Sequence, residues 1–225
     1  MRNLPVVTKN ILLINFLIWL LDAGLRTRGI HISNLLGLVN PTVIGFHWWQ
    51  PLTYMFLHAN FWHVFFNMFS VLIFAPSLER YWGSRRFLVY YLVCGLGAAA
   101  VQVAVWTLTM PGIPSITIGA SGAVFGILLA FGWLFPTIKM FLLFIPIPIP
   151  ARWMVGIMAV VELICGLADF RWDNVAHFAH LGGMLFGALL ILLWKKSDWH
   201  FPHLNRDKDD EDRNRFDDYH YQRPL

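Results

Sequence analysis

Gly119-Ala120-Ser121-Gly122-Ala123-Val124-Phe125-Gly126-Ile127-Leu128-Leu129-Ala130-Phe131-Gly132-Trp133-Leu134-Phe135 holds no charged residue and opens on a single hydroxyl. Its apolar run predicts a helix from about Ser121 to Phe135, of the kind that a protein core or a bilayer surrounds. Further along, Ala179-His180-Leu181-Gly182-Gly183 lies near the start of another apolar run. A hydroxyl and an imidazole at the same end of two membrane-crossing helices can meet below the lipid surface. An ionisable residue inside a membrane is costly and points to function. A weak nucleophile beside a base able to activate it points to hydrolysis within the bilayer.

Composition sets the same frame. Of 225 residues, 57% are hydrophobic and only 13% charged, and mean hydropathy is +0.57. Soluble domains average about 45–50% apolar and about 25% charged, so the chain reads as a membrane protein. At about 20 residues per crossing, its apolar stretches supply six spans with short connections and no second domain. The formal net charge of +4 does not indicate nucleic-acid binding, because the basic residues sit between apolar segments, where topology accounts for them. Cys94 and Cys165 both fall inside predicted helices and read as small buried hydrophobes. Arg2, Lys9 and the run Ile11 to Leu21 resemble a signal peptide, but no clean small-x-small site follows, so this segment is expected to be a retained first helix.

Hydropathy and punctuation place the helices at about Asn10–Leu25, Phe61–Tyr81, Arg86–Met110, Ser121–Phe135, Ala151–Asp169 and Val175–Trp194. The fold class expected is an all-α polytopic bundle. It consists of a short N-terminus (1–9), a six-helix membrane domain (10–196) and a charged tail (197–225) that reads as solvated and largely disordered. The connection from about Thr27 to Asn60 is apolar enough to lie in the membrane interface, with Trp48 and Trp49 as anchors at headgroup level. Ile145-Pro146-Ile147-Pro148-Ile149-Pro150 cannot continue a helix and is expected to be a connector. Arg2, Lys9, Arg80, Arg85, Arg86, Lys139, Arg152, Lys195, Lys196 and the tail fall on one side; Arg26, Arg28 and Arg171 fall on the other. By the positive-inside rule both termini are cytoplasmic.

That orientation makes the second, fourth and sixth helices run inward from the outer side. Asn67 and His180 then lie roughly 7–10 Å below their helix starts. Ser121 joins them if the uncharged loop from Pro111 to Gly119 dips into the bundle. Gly122 and Gly126, and Gly183 and Gly187, are spaced by four, which lets helix backbones approach closely and would press His180 toward Ser121. Phe125, one turn after Ser121, would lie under the ring. No carboxylate is spaced in sequence to complete a triad: Glu162 and Asp169 sit on the fifth helix and receive no catalytic role. A Ser–His dyad is therefore expected. Donors for a developing oxyanion are the Ser121 backbone N–H with His63 and Asn67, which share a face of the second helix at i and i+4. His58 is expected to hold the loop before that helix.

With Gly119-Ala120-Ser121-Gly122, Ala179-His180-Leu181-Gly182-Gly183, His63-Val64-Phe65-Phe66-Asn67 and Glu79-Arg80-Tyr81-Trp82-Gly83-Ser84 in this order, the chain resembles the rhomboid intramembrane serine proteases in their basic six-helix form, from about Ile11 to Trp194. The resemblance implies Ser121 as nucleophile and His180 as general base, with His63 and Asn67 joining the oxyanion site and Gly119, Phe125 and Gly183 supporting them. It also implies a first connection half-embedded in the outer leaflet. That connection departs from the family at Gln50, where Arg is usual. Inactive relatives of this fold lack the nucleophile or the base, and both are present here.

Rival classes are open to the same residues, among them a transporter, which is disfavoured because no ion-pair relay or paired broken helices of matching position can be read. A zinc site drawing on His58, His63, His177 and His180 lacks a nearby thiolate and the His-Glu-x-x-His carboxylate, so neither metal nor cofactor is expected. A non-enzymatic binder of membrane helices on the same fold is another, since fold does not dictate function. The partners expected are transmembrane protein substrates and the lipid bilayer, with no nucleic acid. The setting expected is a bacterial cytoplasmic membrane. By exclusion, and by resemblance, the fifth helix is the expected lateral gate for substrates, since it supplies none of the expected catalytic side chains.

Overall fold

A computed structural model of the protein describes residues 4–142, 145–168 and 176–196. Six long helices dominate it: α1 (Val6–Arg26), α2 (Phe61–Trp82), α3 (Ser84–Thr109), α4 (Ser121–Leu134), α5 (Ala151–Ala168) and α6 (His177–Lys196). Residues up to Leu190 form one compact unit, and a second begins at Ile191 within α6. The expected helix end at Asp169, the loop charge Arg171, the expected start at Val175 and the charged tail 197–225 lie outside the described residues.

Five of the helices are long and apolar enough to cross a membrane, with mean hydropathy of 1.5–2.0. Their outward faces are apolar too: Leu13, Phe16, Leu17 and Leu20 on α1, and Ile157, Val160, Ile164 and Leu167 on α5, are all exposed. In water such faces would be an aggregation hazard; in lipid they are at equilibrium. The chain is thus a multi-pass membrane protein. α4 differs, at 14 residues. It is about 21 Å long against about 30 Å of hydrocarbon, so at least one of its ends lies inside the apolar layer.

α1 starts four residues earlier than the hydropathy suggests, because its orphan N–H groups find a partner on another helix. Glu79 of α2 accepts from Val7 N at 2.9 Å, Thr8 N at 2.7 Å and Thr8 Oγ1 at 2.7 Å, and also from Ser84 Oγ at 2.6 Å. A carboxylate on a helix N-terminus satisfies both the donors and the dipole. Likewise α3 starts two residues earlier than expected, directly after Gly83, whose φ of 79° makes the turn from α2.

The connection between α1 and α2 is ordered by backbone bonds rather than by packing alone. It contains helical turns at Ser33–Leu36 and Gln50–Thr53 and a two-residue strand, β1 (Leu38–Val39). β1 pairs antiparallel with β2 (Ile116–Thr117), Leu38 opposite Thr117 and Val39 opposite Ile116. Gln50, in place of the expected Arg, is fully buried and bridges three backbone groups. It donates to Gly45 O at 2.9 Å and Leu35 O at 3.3 Å, and accepts from Val39 N at 3.3 Å. The neutral amide anchors the loop without the cost of burying a charge. Of the two expected tryptophan anchors, Trp48 is exposed, whereas Trp49 is turned back on the loop, donating to Leu35 O and stacking on His47.

The Pro-rich connector is a strand. β4 (Ile145–Pro150) pairs antiparallel with β3 (Lys139–Leu142), with Met140 opposite Ile149. Alternation explains why this is permitted. Pro148 and Pro150 are two residues apart, so both lack a donor on the same edge, and a register shift between Phe141 and Leu142 interrupts the ladder before Ile145.

Candidate active site

Four helices and one loop deliver the polar side chains. Ser121 is the first residue of α4, and its approach is set from outside the helix. Gly119 N donates to Tyr54 O at 2.9 Å, and Asn40 N to Ser115 O at 3.0 Å, continuing the β1–β2 pairing toward the serine. Gly119 takes φ of 132°, a region that a side chain disfavours. A Cβ built there would lie 2.7 Å from His63 Nε2 and 3.6 Å from Ser121 Oγ. The expected supporting role of Gly119 thus has a spatial content: it lets the imidazole of His63 approach the serine.

His180 lies one turn into α6 and is buried. Its Nε2 stands 2.8 Å from Ser121 Oγ. Phe125 stacks on the ring, centroids 4.3 Å apart and planes 9° from parallel. The approach of α4 and α6 depends on glycine. A Cβ on Gly183 would strike the carbonyl group of Gly122, and one on Gly126 would lie 3.2 Å from Gly183 O. Gly187, expected on the same contact, faces Tyr90 and Cys94 of α3 instead.

Glu162, a carboxylate that its spacing in sequence does not place beside His180, reaches it in the fold. Glu162 Oε2 of α5 lies 2.9 Å from His180 Nδ1 and 2.7 Å from His177 Nδ1. Distance along the chain carries no information about neighbours on adjoining helices, which is why the spacing argument failed. The signal that could have found it was present: a lone carboxylate in the middle of an apolar helix is itself a functional hypothesis. α5 thus brings one polar side chain into contact with His180.

On α2, His63 Nδ1 accepts from Ala59 N at 3.3 Å, so its proton resides on Nε2, the nitrogen beside Gly119. Asn60 caps this helix through His63 N at 2.9 Å. Asn67 is buried and donates from Nδ2 to His63 O at 2.9 Å, which commits one amide hydrogen to its own helix. His58 is buried, with its ring edge-on to His63 at 5.0 Å. Burial, reinforced by His63, pushes its imidazole down to about 3. The loop carrying His58 is held through its backbone. Arg26, paired with buried Asp22 at 2.6 Å, donates to Ala59 O at 2.8 Å and His58 O at 3.4 Å. Sequence alone gave Arg26 only a topological part.

Glu162, His177 and His180 bring three ligand-type atoms within 4.8 Å of one another, a His2Glu set of the kind that suits zinc. Each of these atoms is engaged in the hydrogen bonds above, and the geometry of the set is that of a carboxylate shared by two imidazoles. Chemically, the arrangement offers a hydroxyl against an imidazole nitrogen, a carboxylate behind that imidazole, and the His63 Nε2 beside Gly119.

Comparisons with known proteins identify the family. The model of the Rhomboid domain family matches residues 45–197. Rhomboid protein 1, mitochondrial, of Saccharomyces cerevisiae is 34% identical over 60% of this chain and 38% of its own length. The protein named "Putative rhomboid protease YdcA" of Bacillus subtilis is 31% identical over 85% of this chain and 89% of its own. Rhomboid protease GluP of the same organism is 31% identical over 62% of this chain and 25% of its own.

Proposed function

The chain belongs to the rhomboid family, and from that premise we propose that it is a serine endopeptidase that cleaves transmembrane segments of other membrane proteins within the bilayer. The observation that carries the proposal is the 2.8 Å approach of Ser121 Oγ to His180 Nε2 inside a bundle of apolar helices. Relatives named as rhomboid proteases support the same activity.

Ser121 is the nucleophile and His180 the general base. As Oγ attacks a substrate carbonyl carbon, its proton passes to Nε2 and the carbonyl oxygen becomes an oxyanion. The Ser121 backbone N–H, His63 Nε2–H and the remaining Asn67 amide hydrogen are the donors for that charge, and preorganised donors in a water-poor site contribute much of the rate. The imidazolium then returns its proton to the leaving amine. Water, activated by the same base, hydrolyses the acyl-enzyme. Phe125 keeps the imidazole plane facing the hydroxyl throughout.

A substrate helix keeps its carbonyls hydrogen-bonded, so it must unwind before attack. Segments weakened by Gly, Pro or other small residues near the outer face are the substrates that fit. Water reaches Ser121 from the extracytoplasmic side, both termini are cytoplasmic, and the membrane is the bacterial cytoplasmic one. The six-helix region of residues 10–196 carries the activity, and the charged segment 197–225 lies outside it. The test is labelling by a serine-directed phosphonate together with cleavage of a model transmembrane substrate. Both are expected from the wild type in the presence of chelator, and both are expected to vanish in Ser121→Ala and His180→Ala. Cleavage that survives Ser121→Ala defeats the proposal.

A further inference from the structure

The carboxylate of Glu162 is the polar group of this site that the Ser–His chemistry leaves unused. It projects from α5, whose Ala151, Met154 and Val155 are buried while many of its large apolar side chains are exposed, and one of its oxygens meets the Nδ1 atoms of both His180 and His177. The side chains are shielded: relative exposure is 14% for Glu162 and 9% for His180. Among the described residues, the titratable groups facing His180 are His63 from α2, Glu162 from α5 and His177 from α6, with Ser121 and Phe125 facing it from α4.

An ionised carboxylate only accepts hydrogen bonds. Beside Nδ1 it selects the tautomer with the proton on Nδ1, which leaves the lone pair of Nε2 toward Ser121 Oγ. A neutral imidazole without such a partner has two tautomers of similar energy, and the one bearing Nε2–H cannot take the serine proton. The carboxylate also faces the positive charge that His180 acquires when Ser121 loses its proton, as the buried acid does in Ser-His-Asp triads. His177, one turn before His180, meets the same oxygen from its own Nδ1 at 2.7 Å with its ring nearly perpendicular to that of His180. It pins the rotamer of Glu162 against α6.

From this geometry we infer that Glu162 is a positioning residue, which holds His180 in its basic tautomer, and that His177 positions Glu162 in turn. The inference rests on the serine-protease reading given above. It makes the constellation a three-helix relay, with α5 supplying the outer member.

The experiment uses the full chain in detergent or proteoliposomes, with active sites counted by phosphonate titration and folding followed by thermal unfolding. Glu162→Gln can present an N–H to Nδ1 and so favour the wrong tautomer. It is expected to lower kcat by about 10²–10³-fold with little change in KM. Removing the negative charge is also expected to displace the acid limb of the pH profile of kcat/KM to lower pH. Glu162→Asp, which keeps the charge, is expected to retain the wild-type limb and recover much of kcat. His177→Asn is expected to lower kcat by about tenfold or less, without moving the limb. A loss of stability and of titratable sites, with kcat per site and limb unchanged, would make Glu162 a clamp between helices and overturn the inference. Wild-type kcat and limb in Glu162→Gln would overturn it directly. Should Glu162→Gln not fold, Glu162→Ala decides by the same two readouts: wild-type kcat per titrated site with the limb unmoved overturns positioning. Full activity in Ser121→Ala or His180→Ala would instead defeat the underlying serine-protease reading, so the two failures are distinguishable.

Discussion

Gly183→Ala is the smallest change that should separate the serine from its imidazole without touching either. The added Cβ would lie 2.7 Å from the Gly122 carbonyl carbon, where carbon atoms rest comfortably at about 3.5–4.0 Å. The obstacle is backbone on the facing helix, which has no rotamer to give. α4 and α6 must therefore part by about 1 Å. The Oγ···Nε2 distance of 2.8 Å then lengthens to about 3.8 Å, past hydrogen-bond range. A misplacement of this size costs about 10²-fold in rate, or about 2.7 kcal/mol of transition-state stabilisation. The measurement is the second-order rate of phosphonate labelling together with kcat/KM for a transmembrane substrate, on protein shown to be folded by its unfolding transition. Gly156→Ala on α5 is the control, since nothing lies within 4 Å of the added methyl, and it is expected to be silent or mildly stabilising. A folded Gly183→Ala protein that labels and cleaves within about threefold of wild type would refute the claim that this glycine contact sets the distance.

Other expectations follow from single contacts. Phe125→Leu loses the stacked ring on His180, worth about 0.5–1.5 kcal/mol, and is expected to lower kcat by about 3–10-fold with KM nearly constant. Glu79→Gln leaves the donors of Val7, Thr8 and Ser84 with a neutral partner. It is expected to destabilise the protein by about 2–3 kcal/mol, seen as a lower unfolding temperature, while the folded fraction cleaves normally. His58 titrates near 6.5 when unfolded and at about 3 when folded, so the unfolded chain takes up the proton first. Its contribution to stability is complete above pH 6.5 and is lost as pH falls toward 3, at about 1.4 kcal/mol per pH unit. His58→Phe is expected to flatten that decline, and an unchanged pH dependence of unfolding would count against this account.

The helices and the approach of Ser121 to His180 were legible because each rests on local pattern: apolar length, and a small-residue motif that lets two helix backbones come close. Phe125 was legible from its one-turn offset. The rest depended on relations across the chain. Glu162 becomes meaningful only when α5 lies against α6, and no spacing in sequence encodes that adjacency. The early start of α1 needs Glu79 from a different helix. Gln50 could not be judged by comparison with Arg, because its value lies in three backbone groups that the loop folds around it. The strand β4 was hidden by a sound rule applied to the wrong structure: proline forbids helix, but every second proline still permits an edge.

The pairing of β1 with β2 means that Ser121 is registered from a distant part of the chain. The segment leading to it is tied to Leu38, Val39, Asn40 and Tyr54, all of which precede α2. A lesion that loosens residues 115–119 should accordingly find its genetic suppressors in the 38–42 stretch, and an insertion there should be as damaging to turnover as one beside the serine. The connection between the first two helices thus behaves as a jig for the nucleophile, and its natural variation is a place where activity can be tuned while the reacting groups stay the same.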